Sequence, residues 1–165
     1  MERDFKYSLS FISSSPSETI NFGEFLGRIL KSPAFLALKG NLGTGKTLLT
    51  KGVAKAKGIK EEDVVSPTFV ILNVYKTPKE IICHLDCYRI KDEEDLADLG
   101  LDQLLQRKDV LVIIEWAEKI INALPKENTT VVELEFSNDD LKRKISIYSN
   151  DSKFIEKIKD FLRKE

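Results

Sequence analysis

The stretch Gly40-Asn-Leu-Gly-Thr-Gly-Lys46-Thr47 constrains this chain more than any other, because it satisfies the G-x4-G-K-[ST] (Walker A) spacing between two patterned segments. Before it, Ala34-Phe-Leu-Ala-Leu-Lys39 is a short apolar run bounded by Pro33 and Gly40, the pattern of a buried strand. After it, the spacing predicts a helix over about residues 46–57, with Gly58 placed to end it. Strand, glycine-rich loop and helix in that order make a phosphate cradle. The glycines Gly40, Gly43 and Gly45 let backbone N–H groups close around phosphate oxygens, and Lys46 neutralises charge between the β and γ groups. The Thr47 hydroxyl is suited to Mg2+, and the following helix adds its positive N-terminal end. A nucleotide triphosphate is the ligand this pattern implies.

A second strand ends in an acid. Val110-Leu-Val-Ile-Ile114 is β-branched and wholly apolar, as expected of a central strand covered on both faces, and Glu115 follows at once. Ligands of open α/β sheets bind outside the carboxyl ends of the strands, where the glycine loop also lies. Glu115 can therefore face the Mg2+ of a bound nucleotide, directly or through water; otherwise it only marks where the strand emerges into solvent. Trp116, the single tryptophan, is more often a core or interface residue than a chemical one.

In Cys83-His-Leu-Asp-Cys-Tyr-Arg89 the two-residue strand period sends His84, Asp86 and Tyr88 to one side and Cys83, Leu85 and Cys87 to the other. One side is reactive and the other packs. Asp86 can orient an attacking water, accept its proton or hold a metal-bound water; the plainer alternative is an edge strand with a solvated polar face. A zinc site from Cys83, His84 and Cys87 lacks a fourth ligand and splits across the two sides, so the cysteines read as buried. The hydroxyls of Ser66-Pro-Thr68-Phe69 are placed either to sense a γ-phosphate, as switch segments do, or simply to form a turn.

The rest of the chain frames these motifs. A strand over residues 5–12 leads to a helix capped by Ser15, with Pro16 at its first position, Glu18 as the capping-box acid, and Ser32-Pro33 at its end. Strand patterns over residues 69–75 and 81–86 suggest a hairpin. Residues 92–106 read as two short helices broken at Gly100, and residues 129–136 and 143–148 as two more strands before an amphipathic C-terminal helix. The mixture gives an α/β class in one domain spanning residues 1–165, with no repeat or linker. With 26 Lys and Arg against 27 Asp and Glu, the net charge of -1 excludes a protein held to nucleic acid by bulk charge. Two cysteines make no disulfide framework and the Met1-Glu-Arg-Asp-Phe5 start has no long apolar core, so a cytoplasmic, membrane-free protein is expected.

Taken together, Gly40 to Thr47, Ser66-Pro-Thr-Phe69, His84-Leu-Asp-Cys-Tyr-Arg89 and Ile114-Glu-Trp116 resemble, in order and spacing, the bacterial TsaE (YjeE) ATPases of tRNA threonylcarbamoyladenosine biosynthesis. The resemblance covers about residues 15–125 and rests on the combination of all four motifs. It implies a P-loop NTPase fold: a mainly parallel central sheet with helices on both faces and added antiparallel strands. It implies that Gly43, Thr44, Gly45, Lys46, Thr47 and Leu48 hold the phosphates of ATP or ADP, that Thr47 and Glu115 coordinate Mg2+, and that Asp86 belongs to the ATP site. Ser66, Thr68, Tyr88, Arg89 and Trp116 are implied to support hydrolysis or partner coupling, while Arg143 is left without a role. The implied partners are the transferase subunit TsaD and its companion TsaB, with tRNA met indirectly.

Three functions fit the motifs. The first is a Mg-dependent ATPase, weak alone and coupled to partners, in which Lys46, Asp86 and Glu115 carry the chemistry. The second is a small-molecule kinase, which should have an arginine-bearing lid; here Arg89, Arg107 and Arg143 are the only arginines between Arg28 and Arg163. The third is a nucleotide-gated binding module with incidental hydrolysis.

Overall fold

The two wholly apolar runs become β2 (Ala34–Lys39) and β5 (Val110–Glu115), parallel neighbours at the centre of a seven-stranded sheet. The computed structural model describes residues 4–68, 71–91, 95, 100–139 and 141–164. Across the sheet run β1 (Tyr7–Ser13), β7 (Arg143–Ser149), β6 (Thr129–Phe136), β2, β5, β4 (Ile81–Asp86) and β3 (Leu72–Lys76). The four strands β6, β2, β5 and β4 are parallel, and β3, β7 and β1 extend them antiparallel. The helices described along their length are α1 (Pro16–Ile29), α2 (Lys46–Ala56), α3 (Leu101–Gln106) and α4 (Ser152–Leu162).

Alternation along each strand divides the core in two. Leu36, Leu38, Leu111 and Ile113 meet Phe22 and Leu26 of α1, Leu49 and Val53 of α2, and Ile155 and Ile158 of α4. On the other face, Phe35, Ala37, Val112 and Ile114 meet Cys83, Leu85 and Cys87, under Ile90, Leu104 of α3 and the 3-10 turns Ala117–Lys119 and Ile121–Ala123. Helices thus cover both faces unequally, with the three long ones on one side.

Local chemistry sets the boundaries. Ser15 Oγ accepts from Glu18 N at 3.1 Å, and the Glu18 carboxylate accepts from Ser14 N at 2.7 Å, one residue earlier than the simplest capping box. Gly58 ends α2 in the left-handed region at φ 86°. The two helices meet backbone to backbone: a Cβ on Gly23 would stand 2.3 Å from Leu49 O, and one on Gly52 only 2.1 Å from Ile20 O. The helix that follows the glycine loop is therefore pressed directly onto α1.

Several boundaries differ from the sequence reading; β1 runs over Tyr7–Ser13 rather than residues 5–12, and β3 ends at Lys76 rather than residue 75. β3 starts at Leu72 rather than residue 69: Ile71 has φ 70°, which breaks extended pairing, and Phe69 and Val70 lie outside the described residues. β7 continues one residue further, to Ser149. Of the two short helices expected over residues 92–106, α3 is the second, starting after Gly100 at φ 64°, and residues 92–94 and 96–99 are not described. β4 is internal, paired with both β5 and β3, so its polar side is no solvated edge. Among the described residues no helix is long and apolar enough to cross a membrane.

Candidate nucleotide site

The loop between β2 and α2 carries positive φ at Gly40 (134°), Gly43 (80°) and Gly45 (105°). Gly40 is the most constrained, since a Cβ there would lie 2.2 Å from Leu134 O of β6 as well as in a disfavoured conformation. Thr44 is buried and its Oγ1 donates to Asn41 O at 2.8 Å, closing the turn. Lys46 opens α2, and its Nζ donates to Gly40 O at 2.6 Å and Asn41 O at 2.9 Å and lies 4.0 Å from the centre of the Trp116 ring. Burial pulls the Lys46 ammonium below the usual lysine range, against the opposing fields of Glu115, Glu118 and Asp86.

Strand register assembles the acids. Asp86 and Glu115 end β4 and β5 as direct partners, both almost fully buried. Glu115 Oε2 accepts from Thr47 Oγ1 at 3.0 Å, and Oε1 accepts from His84 Nε2 at 2.9 Å. Asp86 Oδ2 accepts from Ser66 Oγ at 3.0 Å and Thr68 Oγ1 at 2.7 Å, while Oδ1 accepts from Tyr88 N at 2.8 Å. The two acids are thus satisfied by separate donors.

A cleft of about 360 Å³ is lined by Leu42, Gly43, Gly45, Lys46, Thr47, Leu48, Ser66, Thr68, Asp86, Glu115 and Trp116. Tyr88 stands at its rim, exposed, with its ring 5.0 Å from that of Trp116. Arg89 is exposed on the turn after β4 and does not line the cleft. Phe69, the last residue of its motif, lies outside the described residues. A second groove, about 290 Å³, runs past Lys31, Asn128, Asp151 and Lys157 at the opposite ends of the parallel strands and gathers none of the candidate residues.

Thr47 and Glu115 offer a hydroxyl and a carboxylate on adjacent elements, hard oxygen donors that fit Mg2+, an ion that fills its remaining positions with phosphate oxygens and water. Among the described residues no three His, Cys, Asp or Glu side chains gather into a metal cluster. Cys83 and Cys87 are buried free thiols, and burial pushes the Cys87 thiol up to about 12.

Two residues acquire contacts that the sequence reading does not supply. Arg143, at the start of β7, donates from Nε to Thr44 O at 3.2 Å and from a terminal nitrogen to Gly43 O at 3.3 Å, its guanidinium 4.4 Å from the centre of the Phe136 ring. His84 touches Glu115. The sequence signals for His84 are its place on the same side of β4 as Asp86 and its position at the head of the His84–Arg89 motif; Arg143 belongs to no motif, and its contact to the glycine loop is set only by the fold.

Fold and site together define a P-loop protein of the nucleotide-binding α/β class. Residues 13–145 match the family model "Threonylcarbamoyl adenosine biosynthesis protein TsaE", and the chain belongs to the TsaE family. It is similar to the Rickettsia prowazekii tRNA threonylcarbamoyladenosine biosynthesis protein TsaE, 40% identical over 67% of this chain and 76% of the relative. The Treponema pallidum protein of the same name is 37% identical over 73% of this chain and 87% of its own length. The crystal structure of Bacillus subtilis YdiB superposes with a TM-score of 0.73 at 26% identity, covering 95% of both chains.

Proposed function

We propose that this chain, acting as a single domain over residues 1–165, is a Mg-dependent ATPase serving tRNA threonylcarbamoyladenosine biosynthesis through the TsaD and TsaB subunits. The observation that carries the reading is the convergence of Thr47 and Glu115 at 3.0 Å, beside Asp86 and at the mouth of the glycine loop. In this reading the backbone of Gly40 and Gly43 to Leu48 binds the phosphates of ATP or ADP, and Lys46 offsets charge on the β and γ groups. Thr47 and Glu115 hold Mg2+, which when bound neutralises charge on the phosphate oxygens. Asp86 orients the attacking water; a new P–O bond forms from it as the β–γ bridging bond breaks, releasing ADP and phosphate.

Ser66 and Thr68, both on Asp86, are suited to report the γ-phosphate to the surface. Exposed Tyr88 and Arg89, with half-buried Trp116 behind Tyr88, form the outer side of that report and couple it to partners. The net charge of -1 agrees with tRNA being held by the partners. The work is cytoplasmic. Phosphate release in the presence of both partner subunits tests the reading: Lys46→Ala and Asp86→Ala should each abolish it, and unchanged turnover in both would refute it.

A further inference from the structure

His84 is the only histidine of the chain and is fully buried in the interior of β4. Its Nε2 donates to Glu115 Oε1, and its buried Nδ1 has no partner among the described residues. Packing does not account for it. Its neighbours on that side of β4 and β5 include Ile82, Leu111 and Ile113, among which an apolar side chain would leave no orphaned nitrogen. The single bond the ring makes goes to the Glu115 oxygen that Thr47 does not use. Asp86 is held by Ser66, Thr68 and the Tyr88 backbone, so the imidazole serves Glu115 alone among the two acids.

We propose that His84 is a positioning residue for the Mg2+ site: its Nε2–H clamps one carboxylate oxygen of Glu115 so that the other stays beside Thr47, ready for the cation of a Mg–nucleotide. This rests on the nucleotide-site reading above. Outer partners of this kind set the direction of a metal-binding carboxylate, and their loss costs roughly 10- to 100-fold in metal affinity. Nothing else described reaches Oε1, so without the ring the carboxylate is held only by the Thr47 hydroxyl, on the oxygen the cation is to take.

The test uses Mn2+ as the probe ion, titrated by electron paramagnetic resonance onto the full chain with a non-hydrolysable ATP analogue. His84→Leu fills the space without a donor, whereas the His84→Gln amide nitrogen lies the same number of bonds from the backbone as Nε2. His84→Leu should weaken Mn2+ binding roughly 10- to 100-fold, and His84→Gln should restore most of the loss. Affinity for the analogue in EDTA should stay at the wild-type value in both. Because there is one imidazole, its nitrogen resonances are readable in the unaltered protein; they should show the proton on Nε2 and shift when Mg2+ is added to the analogue complex. That spectrum decides the matter if the leucine variant does not fold. Wild-type Mn2+ affinity in His84→Leu, equal losses in both variants, or ring nitrogens indifferent to Mg2+ would each overturn the proposal. A wild-type protein that binds no Mn2+ with the analogue refutes the nucleotide-site reading itself.

Discussion

Replacing Gly52 by alanine sets two effects of opposite sign against each other in the middle of α2. Intrinsic propensity favours the alanine by about 1 kcal/mol. The added Cβ, however, would lie 2.1 Å from Ile20 O, 2.7 Å from Glu24 N and 2.9 Å from Gly23 C, all backbone atoms of α1, where ordinary contact begins at 3.4 Å. No side chain can swing aside, so α2 must move away, and Leu49 and Val53 must withdraw from the core with it. Overpacking of a core costs about 1–3 kcal/mol, and a backbone-on-backbone clash belongs at the upper end. The net is about 2 kcal/mol of destabilisation, or a Tm lower by about 4–8 °C at this chain length. Thermal unfolding followed by circular dichroism measures it, and nucleotide affinity should fall in parallel because α2 begins with Lys46 and Thr47. Gly58→Ala is the control: nothing lies within 4 Å of its Cβ, so only the strain at φ 86° remains, about 1–2 kcal/mol. A Gly52→Ala protein as stable as the parent, or more so, would show that propensity wins and that the two helices do not touch there.

Glu115→Gln should leave stability within about 1 kcal/mol, since an amide can still accept from His84 and donate to the Thr47 hydroxyl, yet weaken Mg2+ dependence at least about tenfold through loss of the charge; melting curves and metal titrations check both halves. Arg143→Ala removes the donors to Gly43 O and Thr44 O and should weaken ATP-analogue binding about tenfold, the worth of one hydrogen bond from a charged group, as read by calorimetry. Burial raises the Cys87 thiol from 9.0 to about 12, so the folded protein keeps this proton at pH values where the unfolded chain loses it. Its contribution to stability should be complete below pH 9 and decline as the pH rises toward about 12, which urea midpoints at increasing pH will reveal.

What could be read in the residues and what could not divide along a physical line. β2 and β5 were legible because a continuous apolar run flanked by Pro, Gly or a charge has few alternatives, and α1 because Ser15, Pro16 and Glu18 each act on immediate neighbours. The glycine loop was legible because its function fixes its residue types. Contacts set by the order of strands were not: Arg143 reaches Thr44 across 99 positions, and His84 meets Glu115 only because β4 and β5 pair in one register. The contact of Gly23 and Gly52 was equally hidden, since nothing local distinguishes a glycine that admits a neighbouring helix from one that merely weakens its own. The late start of β3 follows from Ile71, a β-branched residue in a conformation its type rarely takes.

The alternation along β4 also bears on how the protein avoids misfolding. A slip of a single residue against β5 would drive Cys83, Leu85 and Cys87 toward α2 and push His84 and Asp86 into the apolar layer beneath Ile90. Two buried ionisable groups without donors would penalise that arrangement heavily. A molecule that closes its sheet at all has therefore set its acids in place in the same event, and a well-packed but chemically misaligned form has no stable basin to occupy.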